Sequence, residues 1–138
     1  MPGYSGTPLA KKLGIKDGFR AALLHVPDEI KAKLRNALMK CQWEPVASKD
    51  LDFILLFAKS LAVLRVELSS AAKALAPAGM LWISWPKKSS GVPTDLTEDV
   101  IRQSGLAAGL VDVKVCAVTE VWSVLKFVIP VRNRPKQK

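Results

Sequence analysis

The sequence predicts an α/β domain: a mostly parallel sheet with helices on both faces, finished by a C-terminal antiparallel hairpin. Three observations predict it. Short apolar runs at residues 20–26 (RAALLHV), 51–58 (LDFILLFA) and 80–85 (MLWISW) lack the alternation of a half-exposed strand, so they read as strands buried on both faces. Segments with apolar residues at helical spacing separate them, and strand–helix–strand order implies right-handed parallel crossovers. Two further apolar or alternating runs, 112–119 and 124–131, are joined by residues 120–123, a connection with room only for a hairpin.

Each element has its own local reason. Residues 1–16 carry Gly3, Gly6, Pro8 and Gly14 in a polar setting and read as an arm with one helical turn at 9–13. Gly18 and Pro27 bound the first strand. Pro27, Asp28 and Glu29 open a helix whose apolar face is Ile30, Leu34, Ala37 and Leu38; acids at its positive end and Lys40 near its negative end suit the helix dipole. Residues 43–47 form a weak strand that Pro45 confines to a sheet edge. Ser60 is a candidate N-cap for a helix carrying Leu61, Leu64, Leu68, Ala72 and Leu75, stopped by Pro77 and Gly79. Asp95 and Glu98 have capping-box spacing ahead of Val100, Ile101 and Ser104, in a helix that Gly105 or Gly109 ends. Pro130 in the last run marks an open side or the end of pairing.

A chain of 138 residues can bury a single core without a staple. The expected layout is an arm at 1–16, one domain at 17–131 and a basic, solvated tail at 132–138. Cys41 and Cys116 are far apart in sequence and read as reduced core or near-core residues. No apolar run follows a basic start and none approaches the roughly 20 residues of a membrane helix, so a cytoplasmic protein without a membrane partner is expected. The formal charge of +9, from 21 Lys and Arg against 12 Asp and Glu, favours anionic partners. Part of the excess sits at the ends, in Lys11, Lys12, Lys16 and Arg20, then Arg132, Arg134, Lys136 and Lys138. No aromatic residue is interleaved in that tail to stack on bases.

Residues 51–128, with strand LDFILLF, a helix ending ALAPAG, strand MLWISW, then a helix and a hairpin, resemble the later half of a class I S-adenosylmethionine-dependent methyltransferase. That resemblance implies a Rossmann-like fold. Over nearly the whole chain, GYSGTPLAKKLGIK (3–16), WPKKSSGVPTDLTEDVIR (85–102) and GLVDVKVCAV (109–118) resemble a family of small bacterial proteins of unknown function. This second resemblance brings no activity with it.

In open α/β sheets ligands bind beyond the carboxyl ends of the strands, near the point where strand order reverses. A methyltransferase or dinucleotide enzyme needs glycines after its first strand, so that backbone N–H groups can approach the cofactor at a helix start. Here that turn reads HVPDEI. Pro27 removes a donor, Asp28 and Glu29 repel a pyrophosphate, and no cofactor is expected. The rim formed by the other strand ends offers Lys59, Ser60, Trp85, Lys87, Lys88, Ser89, Ser90 and Thr94, a set of cations, hydroxyls and an indole suited to a phosphate or carboxylate. The plain alternative is a solvated loop at 87–91 with Trp85 in the core. Tyr4, Lys11 and Lys12 of the arm either fold over this rim or simply cover an edge.

Catalytic constellations are thin. His25 is the single histidine, which with two distant cysteines leaves no metal site; it is a general base or a satisfied rim residue. Asp112 and Lys114 lie two apart on a strand and are expected to share a face. Trp122, in the hairpin connection, either offers an exposed indole to a partner or caps the core. The leading expectation is a non-catalytic binding module whose rim recognises an anionic ligand, either a nucleotide-like molecule or a nucleic-acid backbone. The alternatives are an atypical or degenerate transferase and a structural or protein-interaction domain.

Overall fold

The computed structural model describes residues 8–44 and 48–134. Tyr4, Pro45, Lys136 and Lys138, on which sequence expectations fall, lie outside these residues. The elements run α1 (Leu9–Leu13), β1 (Arg20–Leu24), α2 (Asp28–Leu38), β2 (Gln42–Trp43), β3 (Leu51–Phe57), α3 (Leu61–Ala74), β4 (Leu75–Pro86), α4 (Glu98–Ala107), β5 (Val111–Ala117) and β6 (Trp122–Val128). Single 3-10 turns occupy Lys88–Ser90 and Val131–Asn133.

The six strands are ordered β2-β1-β3-β4-β6-β5. The first four pair in parallel, and β6 is antiparallel to both β4 and β5. This is the Rossmann-like α/β architecture with a hairpin edge. Burial of β3 and of the second half of β4 on both faces explains their unbroken apolar runs, since helices cover each side. On one face Ile54, Leu56, Leu81, Ile83 and Leu125 pack under Leu64, Leu68 and Ile101 of α3 and α4. On the other, Phe53, Leu55, Trp82 and Val124 pack under Leu13 of α1 and Ile30, Leu34 and Leu38 of α2. No helix among the described residues is long and apolar enough to cross a membrane.

Several local expectations are corrected. The third helix stops at Ala74, before Pro77 and Gly79, because residues 75–79 already belong to β4. Leu75 pairs with Leu51 but Met80 with Phe53, so the extra residues bulge out of the ladder. Gly79 is required there, since a Cβ would stand 2.5 Å from the Leu51 carbonyl oxygen. The cap of α4 is Thr97, whose Oγ1 accepts the Val100 N–H at 3.2 Å; Asp95 instead serves α3. Gly105 does not end α4 but lies inside it, where the ring of Phe127 leaves no space for a Cβ.

The expected common face of Asp112 and Lys114 is also overturned. A register shift between them makes Val113 an extra, bulged residue, so alternation fails across it. Asp112 pairs with Phe127 and accepts from Arg102 Nε of α4 at 2.9 Å, whereas Lys114 pairs with Lys126 on the opposite face.

Candidate functional site

Strand order reverses between β1 and β3, which are neighbours although β2 intervenes in sequence. The crevice expected to hold a ligand therefore opens between the ends of these strands. β1 stops at Leu24 because His25 adopts a left-handed conformation, φ 57°. A side chain thus occupies the backbone geometry that glycine takes most easily. The His25 Nε2 pairs with Glu67 Oε2 of α3, across the crevice. Pro27 then sits at the N-cap of α2 without a side-chain cap, and Asp28 and Glu29 fill the first turn.

Dinucleotide-binding folds also place an acid about 20 residues past the first turn, for the ribose hydroxyls. That spacing, not used in the sequence reading, falls on Glu44 just after β2. Its carboxylate is already engaged, 3.5 Å from Arg20 Nε and accepting from Ser48 Oγ at 3.3 Å.

The rim beyond β3 and β4 is knitted together by its own hydroxyls. Ser60 Oγ caps α3 by accepting the Val63 N–H at 3.2 Å, and Asp95 Oδ1 accepts the Leu61 N–H at 2.8 Å. A carboxylate therefore already occupies the positive end of α3. Thr94 Oγ1 donates to the Lys59 carbonyl at 2.6 Å and accepts from Leu96 N. Ser90 Oγ donates to the Lys87 carbonyl at 2.6 Å and accepts from Val92 N. The Lys87 N–H itself ties the loop to the Val121 carbonyl, at 2.7 Å.

Of the other rim candidates, Lys59, Lys88 and Ser89 are exposed and Lys87 is half-buried. No ion pair forms between these lysines and a carboxylate among the described residues. Trp85, 5 % exposed, belongs to the core under α3 and α4 and is not a rim surface. Trp122 corrects the idea of an exposed contact indole: it is 6 % exposed and meets Phe57 edge-on, with ring centroids 4.8 Å apart. It begins β6 and caps the core. Lys11 and Lys12 ride on α1, whose Leu13 carbonyl accepts the Trp82 indole N–H at 3.0 Å, and Lys12 acts on Cys116 of β5. They lie over the α2-side face of the sheet.

Neither thiol is activated. Burial raises the Cys41 pKa above its usual value and nearby Asp17 adds to the effect; burial also raises that of Cys116, against the opposing pull of Lys114 and Lys12. Among the described residues no three His, Cys, Asp or Glu side chains gather as a metal site. Grooves do occur on the helical faces. One of about 600 Å³ between α3 and α4 is lined by Arg65, Leu68, Lys73 and Gln103, and one of about 450 Å³ beside α2 by Leu23, Met39 and Trp43.

Strand order, the terminal hairpin and helices on both faces define the methyltransferase-type Rossmann-like class. Solved structures in that class are similar to this chain. A TehB-like S-adenosylmethionine-dependent methyltransferase from Corynebacterium glutamicum shares 11 % identity over 88 % of this chain and 85 % of its own, with a TM-score of 0.55. Magnesium protoporphyrin IX methyltransferase from Synechocystis, with bound S-adenosylhomocysteine, shares 10 % identity over 87 % of this chain and 77 % of its own, with a TM-score of 0.59. The N-methyltransferase NodS from Bradyrhizobium japonicum shares 15 % identity over 88 % and 92 %, with a TM-score of 0.54. The sequence matches no family model and no curated protein.

At these identities the likeness is one of fold. The residues at the switch point do not fit S-adenosylmethionine. A His25–Glu67 pair spans the crevice, the turn has no glycine, and Glu44, the acid at the ribose spacing, is held by Arg20.

Proposed function

We propose that this chain is a non-catalytic binding module on a methyltransferase-type fold, holding an anionic ligand at its rim through Lys59, Lys87 and Lys88. One observation carries the reading. The rim's Ser60, Ser90 and Thr94 hydroxyls and the α3 N-terminus are satisfied internally, whereas these three lysines pair with no described carboxylate. Point charges without oriented donors suit a phosphodiester backbone better than a nucleotide that must be hydrogen-bonded in one pose.

Binding of a labelled short DNA duplex, followed by anisotropy across a salt series, tests this. Affinity is expected to fall linearly on logarithmic axes, with a slope of about −0.9 per phosphate contacted. Replacing Lys59, Lys87 and Lys88 together by Ala should flatten that slope by up to about three. Salt-independent binding, or an unchanged slope in the triple variant, would overturn the reading.

A degenerate transferase is the second reading, favoured by the likeness of fold to solved methyltransferases. It requires S-adenosylhomocysteine to raise the melting temperature, as any ligand of the native state must.

A further inference from the structure

We propose that the α2-side face of the β5–β6 hairpin is a docking surface for a nucleic-acid backbone, centred on Lys114 and Lys126 and separate from the rim. Lys114 and Lys126 are direct cross-strand partners. Their side chains share a face, and like charges directly opposite each other destabilise a ladder. The Lys126 ammonium lies over the Trp82 ring, 5.8 Å from its centroid, which places the pair on the side of α1 and α2.

The bulge at Val113 sharpens the charge. In a regular strand Asp112 would stand on the same face as Lys114 and partly neutralise it. The extra residue turns Asp112 to the other face, where Arg102 holds it. No described carboxylate forms an ion pair with Lys114 or Lys126. A fold that exports its nearest acid and opposes two lysines gives up stability for a cationic surface, a pattern expected where function sets the residues.

The occupant is a phosphodiester backbone and not a base stack, because Trp82, the ring that Lys126 covers, is buried. A negatively charged membrane would need exposed apolar residues beside the lysines. Val115 pairs with Leu125 and so faces away, and one exposed valine beside Lys114, the bulged Val113, is too little apolar surface to seat in a membrane.

Anisotropy titrations of a labelled short DNA duplex and its single strand across a salt series read the proposal out. The Lys114→Gln/Lys126→Gln variant is expected to weaken binding and lower the salt slope by about two, while keeping the rim contribution. Lys114→Glu separates function from folding: it creates a favourable cross-strand pair with Lys126, so the melting temperature should rise while binding falls. Unchanged affinity and slope in the double Gln variant would overturn the proposal. So would binding to anionic lipid vesicles with none to either nucleic acid.

Discussion

His25 holds a left-handed backbone at φ 57° while its imidazole reaches Glu67 on α3, so one residue both ends β1 and ties it to that helix. Because a Cβ is strained in that region, His25→Gly should be more stable than His25→Ala by about 1 kcal/mol, the reverse of the usual order for these residues. Both lose the pair with Glu67, and urea unfolding of the two variants isolates the backbone difference. Gly105 is a different case, limited by space and not by φ. Ala there gains about 1 kcal/mol of helix propensity but drives a methyl group into the Phe127 ring. Overpacking of about 1–3 kcal/mol should win, and Gly105→Ala should unfold at lower urea. The thiols give a chemical test. Burial raises both pKa values, so at neutral pH Cys41 and Cys116 should alkylate more slowly than a free thiol, with rates that rise as pH passes into the alkaline range.

At the level of elements, α3 depends on a residue far away in sequence. Asp95 accepts the Leu61 N–H, 34 positions earlier, and so joins the loop after β4 to the helix after β3. Asp95→Ala should destabilise the fold by about 1 kcal/mol, with Asn retaining most of the cap, as read by thermal or urea unfolding. The capping-box spacing of Asp95 and Glu98 pointed to the right chemistry on the wrong helix. Local spacing specifies that a carboxylate can cap, and only packing of the loop against α3 selects which N–H it meets. The β5 bulge has the same character. Alternation is a property of a regular ladder, and nothing in VDVKV announces where the ladder slips.

For the whole molecule, the sheet order and two-sided core explain why the apolar runs were legible from the sequence. With the crevice spanned by His25 and Glu67, S-adenosylhomocysteine should leave the melting temperature unchanged, whereas a stabilisation of several degrees would restore the transferase reading. The rim was half legible. Its residues could be named because strand ends are set by hydrophobic pattern, and Lys59, Ser60, Lys87 and Thr94 do stand there. Their availability could not be read, because Ser60, Ser90 and Thr94 spend their hydroxyls on loop backbone that only the folded chain brings close. Trp122 shows the same division: its sequence neighbours mark a turn, while contact with Phe57, 65 positions away, buries it. The sequence by itself determined most strands and helices and the net charge, because these follow from local periodicity and composition. Tertiary structure alone decided which faces the charges occupy, which donors are already satisfied and what fills the switch point, because each depends on contacts between residues distant in the chain.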